Sequence, residues 1–202
     1  MPEIILATHN RHKADEVSAI LAPDFNIRCL ADFTAQPPPE ETGNTFEENA
    51  AIKACAASAA LGDDVWVLAD DSGLEVDALG GAPGVHSALY SGRHGDDAGH
   101  RRKLLAELTA IGAVNPGRRR GRFRCVLALA RGGTVVAQCS GTVEGTIAPG
   151  EAGGGGFGYD CLFVPDGHDR TFGELPPSVK NALSHRARAL AEFREMWGAL
   201  AP

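Results

Sequence analysis

Apolar and polar positions change period several times along the chain, and each change marks an element. Ile4-Ile5-Leu6-Ala7 is an unbroken apolar run, the form of a short buried strand. From Asn10 to Leu21 the apolar residues Ala14, Val17, Ala19, Ile20 and Leu21 gather on one stripe, which predicts a helix. Gln36-Pro37-Pro38-Pro39-Glu40-Glu41 can continue neither helix nor strand. Thr45-Phe46-Glu47-Glu48 then has the form of a capping box and opens a helix through about Leu61, with Phe46, Ala50, Ala54 and Ala57 packing inward. Val65 to Ala69 reads as a strand and Asp97 to Ile111 as a helix. Phe123 to Ala130 and Thr134 to Val143, separated by Arg131-Gly132-Gly133, read as an antiparallel hairpin. Ser184 caps a last helix carrying Ala187, Leu190, Ala191 and Trp197. Strands alternate with helices and no repeat or linker divides them, so residues 1–202 are expected to form a single α/β domain with a mixed sheet.

Composition narrows the function classes. The 202 residues carry a formal net charge of −7, which argues against binding a nucleic acid polymer through a basic surface. Arg118-Arg119-Arg120 with Arg122 and Arg124 is the dense basic run, and it reads as a solvated loop leading into a strand. No apolar run reaches membrane-spanning length and no secretory signal is visible, so a cytoplasmic protein without membrane contact is expected. Cys29, Cys55, Cys125, Cys139 and Cys161 are scattered, with no CxxC pair, and are expected to be reduced and mainly buried.

Candidate chemistry sits at four places. Asp70-Asp71-Ser72-Gly73 follows the Val65–Ala69 strand and reads as a strand end. Adjacent side chains of an extended segment point to opposite faces, so one carboxylate can hold a Mg²⁺ ion, and a strand-end Asx turn is the alternative. Thr8-His9-Asn10-Arg11-His12-Lys13 joins the first strand to the first helix, where free N–H groups, the helix dipole and Lys13 suit a triphosphate. It is no Walker loop, and simple capping by Asn10 with a surface Lys13 serves as well. Thr45, Asn49 and Lys53 share one helix face, and Glu40 or Glu41 upstream can bring a second carboxylate to a metal or simply lie exposed. Gly153-Gly154-Gly155-Gly156-Phe157-Gly158-Tyr159-Asp160 sets aromatics among glycines, a form suited to a nucleobase, and Lys180-Asn181 with Ser184-His185-Arg186 adds donors at a helix start.

Six stretches stand in an order that resembles the inosine triphosphate pyrophosphatase family. They are Thr8–Lys13, Thr42-Gly43 with Phe46-Glu47-Glu48-Asn49-Ala50, Ala69–Leu74, Gly80-Gly81-Ala82-Pro83-Gly84-Val85, Gly156–Asp160, and Lys180-Asn181 with Ser184-His185-Arg186. The resemblance implies an elongated α/β fold of mixed sheet and flanking helices, with two lobes around a central active-site cleft. It also implies a homodimer, Mg²⁺ dependence, and hydrolysis of ITP, dITP and XTP to monophosphate and pyrophosphate. Position by position, it assigns phosphate binding to Thr8, His9, Asn10, Arg11, His12 and Lys13, with further substrate contacts at Lys53, Ser72 and Lys180. Asp71 takes the catalytic and metal position, Glu40 or its neighbour Glu41 the second metal carboxylate. Phe157, Gly158, Tyr159, Asp160, His185 and Arg186 fall on base-recognition positions. His9, Leu89 and Cys161 depart from the usual Gly, Arg and Pro of such relatives.

The chemistry fits these side chains. Cleavage between the α and β phosphorus atoms needs charge neutralisation and an aligned water, and no Ser-His-Asp or reactive-Cys arrangement points to a covalent intermediate. An Arg186 donor and an Asp160 acceptor match the 6-keto and N1–H of hypoxanthine and xanthine and mismatch adenine. The competing readings are a related Maf-like pyrophosphatase for modified pyrimidine or methylated nucleotides and a nucleotide sensor without turnover.

Overall fold

The computed structural model describes residues 1–33 and 38–200; Gln36 and Pro37 of the expected break lie outside the described residues. Six strands form one mixed sheet. In sequence they are β1 (Glu3–Leu6), β2 (Asn26–Cys29), β3 (Val67–Val76), β4 (Arg120–Arg131), β5 (Thr134–Ile147) and β6 (Phe163–Pro165). Their order across the sheet is β2-β1-β3-β4-β5-β6, with β1 parallel to both β2 and β3, and β6 antiparallel to β5. The helices are α1 (Arg11–Leu21), α2 (Phe46–Leu61), α3 (Asp97–Ala110), α4 (Pro177–Leu183) and α5 (His185–Leu200). The α/β class with flanking helices is therefore the one expected.

The expected hairpin forms with longer strands. Gly132 and Gly133 both take positive φ, 56° and 74°, as a two-residue turn between twisted strands requires. The larger departure is β3, which does not stop at Ala69 but runs on through Asp70-Asp71-Ser72-Gly73 to Val76. The two carboxylates therefore lie within a strand rather than at its end or in an Asx turn. Leu74 and Val76, both fully buried, give the second half of the strand its own apolar anchors.

The chain divides into two compact units, with the breaks falling inside β3, β4 and β5 and after the first residue of α5. The first comprises Met1–Asp71, Cys125–Gly141 and Arg186–Pro202. Its core joins Ile4, Leu6, Val17, Leu21, Leu68, Leu127 and Leu129 to Ala189, Leu190 and Phe193 of α5. An aromatic cluster closes it, with Trp197 edge-on to Trp66 at 5.2 Å and to Phe25 at 5.6 Å between ring centroids. Ala19 and Ala191, expected on the apolar stripes, are exposed; Ala189 and Phe193 take the inward places on α5. In α2, Phe46, Ala50, Ala54 and Ala57 are buried as expected.

The second unit comprises Ser72–Arg124 and Thr142–His185. Leu74, Val76, Leu104, Leu108, Phe123, Phe163 and Phe172 fill its core. The turn from Gly84 to Tyr90 is pinned from several sides. Ser87 Oγ accepts from Leu74 N at 2.9 Å and donates to Gly84 O at 2.6 Å, while Ser87 O accepts from the Tyr159 hydroxyl at 2.9 Å.

Candidate active site

The first strand-to-helix turn is built by capping. Asn10 is the N-cap of α1, its Oδ1 accepting from His12 N at 3.0 Å and Lys13 N at 3.3 Å, and Thr8 Oγ1 accepts from Asn10 N at 3.1 Å. His9, Asn10, Arg11 and His12 are exposed, and Arg11 lies 3.7 Å from Asp32. His9 has a negative φ, so this turn accepts a side chain where glycine is usual in such relatives.

Lys13 turns inward from this turn. Its Nζ lies 2.5 Å from Asp70 Oδ1, and Asp70 Oδ2 accepts from Arg186 Nε at 2.9 Å. The Cys125 thiol also donates to Asp70 Oδ2, at 3.1 Å, and Arg186 Nη1 reaches Glu16 Oε2 at 2.5 Å. Burial disfavours a charged Asp70, yet the Arg186 and Lys13 cations overcome it and hold the carboxyl well below its usual range. Cys125 is pushed the other way by burial and by the Asp70 charge, so it stays a thiol.

Asp71, the next residue of β3, engages different partners, as the alternation of a strand requires. Lys53 of α2 is buried and donates to Asp71 Oδ1 at 2.6 Å, with Glu41 Oε1 at 3.3 Å from the same nitrogen. Burial alone would lower Lys53, but Asp71 and Glu41 keep it raised. Burial pushes Asp71 up to about 6 against the pull of Lys53. Its second oxygen, Oδ2, is buried without a hydrogen-bond partner among the described residues. The segment before α2 is held for this purpose: Thr45 Oγ1 caps Glu48 N at 3.2 Å, Glu48 returns a bond to Asn44 N at 2.7 Å, and Asn49 Oδ1 takes Gly43 N at 2.8 Å. A Cβ at Gly43 would fall 2.6 Å from Asn49 Oδ1, so the close approach needs glycine. Of the two adjacent glutamates, both exposed, Glu41 is the one brought to Lys53.

The glycine-rich stretch belongs to the second unit and is an ordered turn. Gly155 N donates to Gly173 O at 2.9 Å, and Gly156 has φ 69° with a hypothetical Cβ 2.1 Å from Asp160 Oδ2. Asp160 is buried and accepts from Phe157 N at 2.8 Å and from Lys180 Nζ at 2.6 Å. Lys180, on α4, also sits 4.7 Å from the centroid of the half-buried Phe157 ring. Gly158 is clamped by α3, its N–H donating to Asp97 at 3.0 Å and its carbonyl accepting from Arg101 at 2.9 Å. Tyr159 is buried, with its hydroxyl given to Ser87 O. His185 stacks on Phe123 at 4.8 Å between centroids. Ser72 is half-buried in β3.

The structure thus gathers Lys13, Lys53, Asp71 and Glu41 in the first unit and Phe157, Gly158, Asp160 and Lys180 in the second. Arg186, expected beside a base, lies in the first unit on Asp70 and Glu16. Glu16, Cys125, Asp97 and Arg101 were not anticipated. Glu16 alone left a trace in the sequence, three residues beyond Lys13 on the same helix face.

Fixed carboxylates paired with buried lysines, a helix N-terminus after β1 and an aromatic on a glycine turn define an α/β protein equipped for a phosphorylated, ring-bearing ligand. The Ham1 family model matches residues 4–196, and the chain belongs to that family. The dITP/XTP pyrophosphatase of Geobacillus kaustophilus is 46% identical over 98% of this chain and 95% of its own length. That of Bacillus subtilis is 44% identical over 97% of each. Among solved structures, the Ham1 protein of Staphylococcus aureus superposes with a TM-score of 0.83 at 38% identity, covering 98% of both chains. The HAM1 protein of Coxiella burnetii gives 0.85 at 39%, covering 98% of this chain and all of its own.

Proposed function

We propose that this chain is a nucleoside triphosphate pyrophosphatase that hydrolyses non-canonical purine nucleotides, ITP, dITP and XTP, to the monophosphate and pyrophosphate, and so cleanses the nucleotide pool. The names of its relatives support the reaction. The observation that carries it is the buried Lys53–Asp71 pair with Glu41 beside it and Asp71 Oδ2 unbonded. Two carboxylates, one with an unsatisfied buried oxygen, are a donor set that fits a hard divalent ion sharing its remaining positions with phosphate and water. Asp71 and Glu41, rather than Glu40, would hold that ion, which we take to be Mg²⁺. When bound it supplies charge neutralisation at the phosphates.

The rest is done by this chain's own groups. Lys13, Lys53 and the N–H groups of the Thr8–Lys13 turn bind the triphosphate, and Ser72 contributes a hydroxyl. Asp71 is the proton acceptor for the attacking water, and Lys53 keeps its Oδ1 fixed. Phe157 offers its ring face to the base, with Gly158, Tyr159, Asp160 and His185 framing it. Lys180 acts there by orienting Asp160 and Phe157. A guanidinium carries five N–H donors, so Arg186 can serve both its carboxylates and a 6-keto oxygen. The two units work as one domain, in a homodimer, in the cytoplasm, with no nucleic acid polymer or membrane as partner. No helix among the described residues is long and apolar enough to cross a membrane.

The test is a panel of nucleoside triphosphates with Mg²⁺ and identification of both products. Monophosphate and pyrophosphate from ITP and XTP, with little from ATP, are expected. Turnover confined to modified pyrimidine or methylated nucleotides would favour a Maf-like enzyme, and binding without pyrophosphate release a sensor.

A further inference from the structure

Four charged side chains of the first unit alternate in sign along one chain of contacts. Lys13 contacts Asp70, Asp70 contacts Arg186, Arg186 contacts Glu16, and Lys13 and Glu16 stand three residues apart on α1. Exposure changes sharply along it. The side chains of Asp70 and Arg186 are 0% and 1% exposed, whereas Lys13 is 18% exposed. Asp70 is an anion with Oδ1 on Lys13 and Oδ2 on Arg186 and Cys125, so it does not bind phosphate itself, and what it does for the reaction it does through Lys13.

We propose that Asp70 is a positioning residue: anchored by Arg186, it holds the Lys13 ammonium in place for the phosphates of the substrate. The inference rests on the reading of Lys13 as a phosphate-binding group. A lysine head on a flexible four-carbon stem loses conformational freedom when it grips a ligand, and prior fixation by Asp70 removes that loss from the binding step. Fixation by a lone carboxylate would also cancel the cation's attraction for phosphate. Arg186 prevents this by sharing the Asp70 charge, while Glu16 satisfies its other side. The Cys125 thiol, donating to the same Asp70 oxygen as Arg186, fixes the carboxylate plane without adding charge.

The probe is inorganic tripolyphosphate, which carries no base and competes with ITP at the phosphate end. Lys13→Ala should weaken its inhibition. Asp70→Asn should raise the inhibition constant about tenfold, with KM for ITP rising in step and kcat falling less, and in the Lys13→Ala background it should change that constant less than about twofold. An equal loss in both backgrounds overturns the positioning role alone. Unchanged inhibition in Lys13→Ala overturns the phosphate reading of Lys13 and this inference with it. Should Asp70→Asn fail to fold because Arg186 is left unpaired, Asp70→Asn with Arg186→Met removes both buried charges. That double variant must show the same dependence on Lys13, and additivity there again overturns the role.

Discussion

Asp71 and Asp70 are neighbours with different partners, and substitution should separate the roles proposed for them. Asp71→Asn keeps the shape of the side chain but offers a poorer ligand for a divalent ion and no base, so kcat should drop by roughly 10²-fold or more with the fold retained by circular dichroism. Activity near normal at saturating Mg²⁺ would remove Asp71 from the chemistry. At the base, Phe157 and Arg186 should fail differently. Stacking is indifferent to base identity and contributes about 1–3 kcal/mol, so Phe157→Ala should lower kcat/KM for ITP and ATP together. Arg186→Ala should cut ITP more than ATP if its guanidinium reaches the 6-keto oxygen. An unchanged ITP-to-ATP ratio would leave Arg186 only its place on Asp70 and Glu16. Lys13, Lys53 and Asp71 were legible in the sequence as candidates, because they stand in motifs. Their partners were not: contacts such as Arg186 with Asp70, 116 positions apart, are set by packing that no local pattern encodes.

At the scale of elements, periodicity and caps located most helices and strands, and the errors have identifiable causes. The α2 cap was readable because Thr45 and Glu48 carry the capping interaction in their own spacing. β3 was cut short because Asp-Asp-Ser-Gly has turn composition, and burial against the second core overrides that preference. β2 went unread since only Cys29 of its four residues is buried, and α4 because it opens on a proline and spans seven residues. Glycines at close approaches give a sharp prediction at this scale. Gly156→Ala would place a methyl against the Asp160 carboxylate at a positive φ, so the turn must shift. Activity toward ITP should fall, with the free energy of unfolding reduced by about 1–3 kcal/mol as measured by urea denaturation. Thr45→Ala, which removes only a cap, should cost about 1 kcal/mol and leave base preference untouched.

Across the whole molecule, the thiols couple stability to alkaline pH. Cys29, Cys125 and Cys139 are buried free thiols. Burial, with the nearby Glu192 charge, pushes Cys139 up to about 12 from its ordinary 9.0, and burial with the Asp70 charge raises Cys125 well above its ordinary value. A thiol whose folded value exceeds its unfolded value keeps its proton in the native state where the unfolded chain has lost it. The native state then binds more protons, so stability is full below pH 9 and declines as pH rises above it. Each such thiol contributes a slope of about 1.4 kcal/mol per pH unit in that window, before Tyr90 and Tyr159, which burial also raises, add to it. Urea midpoints at pH 8 and pH 10 should therefore fall for the parent chain and fall less for Cys139→Ala. The Cys139 thiol lies in the first unit's core and donates to Ala189 O on α5 at 3.4 Å, so its removal should leave turnover of ITP at pH 8 unchanged. Equal pH dependence in parent and variant would show that the Cys139 proton is lost without opening the core.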